Sequence, residues 1–317
     1  MEPISPLKIP LLCGLTASGK TALALELGAT YPLEVVSADA MMVYKGMDIG
    51  TAKPTLLERQ AVPHHLIDIL PANQDFSVAQ WVGAAESAIA QILARGKIPL
   101  VVGGTGFYVR ALSEGLPSTP ASDPEQIARL EQELRKQGLD TLYAELEQHS
   151  PIDAQRTQRN PRRVLRALEI LRGTGAPPSS FAPVAAKYRF SKVALIPSMP
   201  ELEPRIHARV EWMFTSGLLE EAAALIPVFA KDGRRATSFQ AIGYKQALDY
   251  LLGAHDANGK IAAISLEECK RRVVLATRQY AKRQTTWFRA EPNAQIYQTS
   301  AQAKQQLEAV FLPFLAN

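Results

Sequence analysis

The string Gly14-Leu15-Thr16-Ala17-Ser18-Gly19-Lys20-Thr21 constrains this chain more than any other, because it fits the pattern GxxxxGK[ST] in the context that gives the pattern meaning. A short apolar run, Ile9 to Cys13, precedes it, and an Ala/Leu-rich stretch opens near Lys20. That layout predicts a strand, a glycine loop and a helix. In such a loop, consecutive backbone N–H groups turn inward around phosphate oxygens, and the helix N-terminus adds its positive dipole end. Gly14, Thr16, Ala17, Ser18 and Gly19 form the cradle, Lys20 brings a point charge, and Thr21 has the hydroxyl position that binds Mg²⁺. The string recognises phosphate groups and is silent on what they carry. Read alone, it suggests ATP.

Two further apolar runs end in polar residues. Leu33 to Ser37 leads into Ser37-Ala38-Asp39, and Ile98 to Val102 into Gly103-Gly104-Thr105-Gly106. Helical segments lie between and after them, which predicts a parallel sheet with its ligands beyond the carboxyl ends of the strands, where the three polar ends converge. After Pro117 to Pro124 the texture changes to charged amphipathic helices, running to about Leu171 and closed by a loop from Gly173 to Ser180. A strand from Val193 to Ile196 returns to the core, and the remainder reads as helical from Glu201 onward. The expected fold is α/β: a P-loop NTPase-like parallel sheet flanked by helices, with an inserted all-helical domain. Its expected bounds are 1–117 and 191–317 for the core and 118–190 for the insertion.

Composition narrows the classes. The two cysteines, Cys13 and Cys269, are far apart with no CxxC spacing, which argues against a disulfide framework and a cysteine zinc site. No uninterrupted apolar run approaches the ~20 residues of a membrane span, and the start lacks the layout of a signal peptide, so the expectation is a cytoplasmic protein without a membrane partner. The net charge of +4 leans toward a polyanion. Its distribution says more: Lys270 to Arg289 holds seven Lys/Arg residues and no acid. At 100° per residue, Arg271, Arg278, Lys282 and Arg289 share one face, opposite Val273, Val274, Tyr280, Trp287 and Phe288. A basic face of this kind suits RNA phosphates. A second cluster, Arg159, Arg162, Arg163 and Arg166, opens a helix of the insertion, with Pro161 at its first position. Surface pairing with acids accounts for such arginines equally well. Asp39 has two readings, as part of a Mg²⁺ shell or as a general base. Thr105 sits among glycines that permit close backbone approach.

Taken together, GLTASGKT, VVSADAMMVYKGMDIGTAKP (Val35 to Pro54), VVGGTGFYVRAL (Val101 to Leu112), QAIGYK (Gln240 to Lys245) and ATRQYAKRQTTWFR (Ala276 to Arg289) resemble tRNA dimethylallyltransferase of the bacterial type, in the family's order. The resemblance implies dimethylallyl diphosphate as donor, the N6 amine of the adenosine immediately 3′ of the anticodon as acceptor, and Mg²⁺ as cofactor, with tRNA, through its anticodon stem-loop, as partner; a monomer is expected, although the sequence leaves the oligomeric state open. It implies that the loop from Gly14 to Thr21 holds the diphosphate, that Asp39 is the base, and that Thr105 lines the channel in which donor and base meet. Arg205 or Arg209, on a helix beginning near Pro204, is placed to add a diphosphate contact, and plain surface charge accounts for the pair equally well. The tRNA-facing set is Asp39 to Met42 (with Ala40 and Met41), Thr105, Arg162, Arg163, Arg166, Gln240, Gly243, Tyr244, Lys245, Arg278, Lys282, Arg283, Gln284, Trp287 and Arg289. Among these, Gln240, Tyr244 and Trp287 are candidates to fill the gap left when the target base leaves its stack, although Trp287 reads equally as core. Three residues depart from the family pattern: Leu15 replaces proline, Ala40 replaces serine, and Asn160-Pro161 replaces Asp-Pro. Two rivals remain at this stage, a small-molecule or nucleoside kinase using ATP in the same loop, and a non-catalytic RNA-binding adaptor.

Overall fold

The computed structural model describes residues 7–231, 237–255 and 261–316, so the expected outer bounds at residues 1 and 317 lie outside the described residues. Ten strands are described: β1 (Lys8–Gly14), β2 (Leu33–Ser37), β3 (His64–His65), β4 (Ile98–Gly103), β5 (Leu116–Pro117), β6 (Pro183–Val184), β7 (Arg189–Leu195), β8 (Ala254–His255), β9 (Ile261–Ala262) and β10 (Ala294–Tyr297). Six of them form one sheet in the order β10-β7-β1-β4-β2-β3, every pair parallel. β1, β4 and β2 are neighbours, so the three polar strand ends do converge.

Two edge strands were not anticipated. β3 has two residues and β10 four, too short and too exposed for a periodic signal. β10 corrects the reading of an all-helical remainder: beyond the helix that ends at Arg289, a turn through Asn293 (φ 58) delivers Ala294–Tyr297 to the open edge of β7.

The helices are α1 (Lys20–Gly28), α2 (Leu56–Ala61), α3 (Val78–Ala94), α4 (Gly106–Glu114), α5 (Pro124–Gln137), α6 (Leu139–His149), α7 (Pro151–Thr157), α8 (Pro161–Thr174), α9 (Met199–Thr215), α10 (Leu218–Lys231), α11 (Tyr244–Leu252), α12 (Leu266–Arg289) and α13 (Ser300–Leu315). Alternation along the strands splits the core in two. Leu11, Cys13, Val36 and Val101 face a layer built from α3, α4 and α9 to α12, while Leu12, Val35, Val102 and Val193 face α1 and α13. Both faces are covered, which is why the central strands read as unbroken apolar runs. Trp81 of α3 stacks on Tyr108 of α4 at 4.4 Å between ring centroids and donates its indole N–H to the Ser37 carbonyl, pinning the end of β2. α9 starts at Met199, ahead of the expected Pro204, which lies inside it. No single helix among the described residues is long and apolar enough to cross a membrane.

The chain divides into two compact units, one of residues Met1–Ser113 with Lys187–Asn317 and one of Glu114–Ala186. The second unit holds α5 to α8 around its own core of Leu130, Leu142, Leu146, Val164 and Leu168. It is not wholly helical, since β5 and β6 pair antiparallel within it. Three of its helices begin alike, with Asp123, Ser150 or Asn160 as N-cap and proline next. The Asn160 side chain accepts from the Arg163 amide at 3.2 Å, so the departure from Asp-Pro keeps the cap.

Gly14 ends β1 at φ +139°, and a Cβ there would lie 2.1 Å from the Leu195 carbonyl oxygen of β7. Gly14→Ala should therefore combine backbone strain with overpacking and cost about 2–5 kcal/mol. Urea denaturation checks this; a loss under about 1 kcal/mol would mean that β1 and β7 separate freely at their carboxyl ends.

Candidate active site

The phosphate loop is built as the sequence requires. Ala17 (φ 58°) and Gly19 (φ 96°) bend it in the left-handed region before α1 begins. The Lys20 ammonium turns back on the loop and donates to the carbonyl oxygens of Leu15 and, at 3.2 Å, Gly14. Burial pushes the Lys20 pKa down to about 8, against the opposing attraction of Asp39. Two arginines of α9 reach the same loop. Arg209 donates to the Thr16 hydroxyl and to the Thr51 carbonyl, each at 3.3 Å, and Arg205 to the Ser18 carbonyl at 3.4 Å. Burial lowers the pKa of Arg209 too, with Asp39 again in opposition. Three cations thus surround a single cradle with one carboxylate nearby.

Two cavities open at the carboxyl end of the sheet, both lined entirely by the first unit. One, of about 330 Å³, is lined by the loop from Thr16 to Thr21 together with Ser37, Met42, Arg205 and Gln284. The other, of about 370 Å³, is lined by Ala40, Met41, Thr105, Met213, Gln240, Ile242, Val273, Thr277 and Arg283. Thr16, Asp39, Thr51, Arg209 and Tyr280 line both. The phosphate cradle and a chamber of mixed lining, in which Arg209 and Arg283 stand beside Met41, Met213, Ile242 and Val273, therefore meet at Asp39. The carboxylate is held in place, accepting from the Met41 amide at 2.8 Å, and Thr105 accepts from the next amide, Ala40, at 3.0 Å. The second contact links the ends of β2 and β4.

Several residues expected to face a partner are occupied otherwise. Tyr244 is fully buried; its hydroxyl donates to Glu221 and accepts from the Gly50 amide, so it cannot stack on a base. The neighbouring Gly243 is buried as well and serves as the N-cap of α11. Gln284 is buried, accepting from the Thr16 amide and donating to the Gly104 carbonyl, both at 2.8 Å. It braces the site from within. Trp287 is half-buried, with the Arg110 guanidinium 4.3 Å over its ring. Gln240 and Lys245 are exposed, and Gln240 lines the second cavity.

The basic run is only partly open. Arg271 and Arg272 pair with Glu268 and Lys270 with Glu211, while Arg278 pairs with Glu203 at 3.1 Å. Lys282, Arg283 and Arg289 are exposed and form no ion pair among the described residues. In the second unit Arg166 pairs with Glu169 and Arg159 with Asp140, whereas Arg162 and Arg163 are exposed and lack an acidic partner among the described residues. The sequence reading missed Tyr280, which it sorted with the packing residues, and it missed Thr51, Met213 and Thr277. Only the closure of the α12 face over two loops makes these a lining.

The thiols lie outside this chemistry: burial raises Cys13 to about 12 and Cys269 to about 11.

Residues 42–291 match the sequence profile of the family described as IPP transferase. The chain is 50% identical over 289 residues to the tRNA dimethylallyltransferase of Thermus thermophilus, covering 91% of this chain and 92% of the relative. It is 47% identical over 294 residues to that of Deinococcus radiodurans, covering 92% and 93%. Among solved structures it is similar to the full-length tRNA isopentenylpyrophosphate transferase of Bacillus halodurans, at TM-score 0.67 and 35% identity over 98% of each chain. It is also similar to a eukaryotic dimethylallyltransferase acting on tRNA, at TM-score 0.81 and 28% identity over 98% of this chain and 80% of the other.

The lowered pKa of Lys20 gives a pH signature. Below about pH 8 the ammonium is already charged; above it, an anion in the cradle must recruit the proton. Calorimetric titration of inorganic diphosphate in two buffers of different ionisation enthalpy should show proton uptake at pH 9 that Lys20→Met abolishes. Equal uptake by both proteins would remove Lys20 as its source.

Proposed function

The chain belongs to the IPP transferase family, and from that premise we propose that it moves a dimethylallyl group from dimethylallyl diphosphate onto N6 of the adenosine immediately 3′ of the anticodon in tRNA. The observation that carries this reading is the meeting of two cavities at a single carboxylate, Asp39, one formed by the phosphate loop with Lys20, Arg205 and Arg209 and the other holding Met41, Met213, Ile242 and Val273 in its lining. A kinase would need its second substrate to bring a hydroxyl to a γ-phosphate; here the chamber beyond Asp39 sets Met41, Met213, Ile242 and Val273 beside Gln240 and Arg283, a mixture suited to a hydrocarbon tail and a base.

The acceptor amine is a poor nucleophile, its lone pair being delocalised into the ring. The rate must come from leaving-group stabilisation, alignment and proton removal. The donor diphosphate lies in the cradle of Gly14 to Thr21, where Lys20, Arg205, Arg209 and the loop amides stabilise the charge that grows as the C1–O bond breaks. N6 attacks C1, and Asp39 accepts the amine proton. Thr105 fixes the backbone beside Asp39 through the Ala40 amide and so sets the direction of the carboxylate. The target base is flipped out of its stack into the second cavity, past Gln240 and Met41 at its lining.

Thr21 lines the diphosphate cavity beside Lys20, and a single hydroxyl at that place suits Mg²⁺, which takes most of its ligands from phosphate and water. Thr21 would hold it, and the ion would add positive charge on the departing diphosphate. The exposed Lys282, Arg283 and Arg289, and Arg162 and Arg163 of the second unit, would meet RNA phosphates. The enzyme acts in the cytoplasm as a monomer in this reading and needs no nucleoside triphosphate.

Incubation with tRNA, Mg²⁺ and dimethylallyl diphosphate, without any triphosphate, should yield prenylated adenosine by nucleoside mass analysis. Asp39→Ala should slow single turnover by about 10²–10⁴-fold while tRNA affinity stays within a few-fold. ATP hydrolysis stimulated by tRNA with no prenylated nucleoside would decide for the kinase or NTPase reading. The ion pairing of α12 sharpens a second expectation. Replacing Lys282 and Arg283 by alanine should flatten the log–log salt dependence of tRNA binding by roughly one to two units, whereas Arg278→Ala, already paired with Glu203, should change it by less. Equal slopes for wild type and the double variant would detach this face from the RNA.

A further inference from the structure

Tyr280 has no part in the steps above, yet it is one of five residues that line both cavities. Its hydroxyl points into the loop after β4, where it donates to the Gly104 carbonyl at 3.3 Å. The aromatic ring is what remains to face the cavities, and it already lies within reach of one cation, the Arg283 guanidinium 5.7 Å from its centroid. Among the described residues lining either cavity, it is the only phenyl or indole ring, and Asp39 is the only acid.

Prenyl transfer needs something at this junction that the cradle does not supply. As the C1–O bond breaks, its electron pair leaves on the diphosphate, and positive charge spreads over the allyl carbons. It persists until the N6 lone pair forms the C1–N bond and the amine proton passes to Asp39. Lys20, Arg205 and Arg209 stabilise the leaving anion and repel that positive charge. A carboxylate in contact with the allyl group could itself capture it. The face of an aromatic ring attracts positive charge while offering no competing nucleophilic atom. Burial, reinforced by the charge of Asp39, raises the pKa of the Tyr280 phenol, so the ring stays neutral.

We propose that the Tyr280 ring is the wall against which the allyl group carries its positive charge between the diphosphate and the acceptor amine. This assignment rests on the transfer reading above, and it makes the ring, rather than the hydroxyl, the chemically active part of the residue.

Single-turnover transfer with saturating tRNA tests it. Tyr280→Phe should stay within about threefold of wild type. Tyr280→Leu should fall by roughly 10–30-fold, the equivalent of a desolvated cation–π contact, with the affinity for inorganic diphosphate unchanged. Thermal melting monitors folding, and Tyr280→Met, which keeps most of the volume, takes its place if the leucine variant melts early. A donor bearing fluorine on one methyl group separates charge stabilisation from shape, because it develops less positive charge on the allyl group. The penalty of losing the ring should shrink with that donor. Equal penalties with both donors, a phenylalanine variant as slow as the leucine one, or a leucine variant as fast as wild type would each overturn the assignment. A wild-type protein that forms no prenylated adenosine would instead overturn the transfer reading, a result visible before any variant is made.

Discussion

The Gln284 side chain ties the site together. Its amide oxygen takes the Thr16 N–H of the loop after β1, and its amide nitrogen gives to the Gly104 carbonyl of the loop after β4. One buried group, satisfied at both ends, thereby joins α12 to two neighbouring strand ends. Leaving either backbone partner unpaired in this interior would cost about 1–3 kcal/mol, so the three elements keep a single arrangement. The geometry of both cavities follows from it: the cradle is held open on one side of the brace, and Tyr280, one turn earlier on α12, is presented at the junction. The same dependence runs to Thr105, whose hydroxyl links the ends of β2 and β4 just beyond Asp39.

A second anchor shapes the segment that carries Thr51. The Glu221 carboxylate accepts from the amides of Asp48, Ile49 and Gly50 and from the Tyr244 hydroxyl, while Lys53 is buried between Asp48 and Asp68, 2.6 Å from each. Gly50 has no alternative here, since a Cβ would lie 2.3 Å from the Tyr244 ring. The string Asp48-Ile49-Gly50-Thr51-Ala52-Lys53 is thus a scaffold whose product is the position of one carbonyl, that of Thr51, which accepts from Arg209. Removing Asp68 would leave the buried Lys53 ammonium with Asp48 as its remaining carboxylate, a cost borne by the fold and not by any contact with substrate. Arg209 is oriented from both sides, by this carbonyl and by the Thr16 hydroxyl.

Charge is redistributed by the fold. The acid-free run from Lys270 to Arg289 meets its acids elsewhere: Glu268 from the turn before it, and Glu203 and Glu211 from α9. What stays open is the carboxyl-terminal half of α12, where Lys282, Arg283 and Arg289 are exposed and Arg283 borders the second cavity. Potential is concentrated at the mouth of the site instead of being spread along the helix. In the second unit the same sorting leaves Arg162 and Arg163 open, while Arg166 is tied to Glu169 and the Pro120 carbonyl.

The sequence alone determined the parallel sheet, the phosphate cradle, the convergence of Asp39 and Thr105 on it, and the presence of an inserted helical unit. Each of these rests on local order: an apolar run of strand length, glycines where the backbone must bend, a cap before a proline. The short edge strands β3 and β10 were illegible because so few residues carry no periodicity and take their conformation from the neighbouring strand. The tertiary structure alone decided which polar residues of the later blocks face the cavities and which are consumed inside. Gln284, Tyr244 and Arg278 look like recognition residues in a string, yet their hydrogen-bonding groups are taken up by partners 180, 23 and 75 positions away in the chain. Tyr280, which reads as packing, becomes a shared wall because two loops close over its face of the helix. A side chain's role at this distance depends on what satisfies it, and a linear sequence does not record partners brought together by folding.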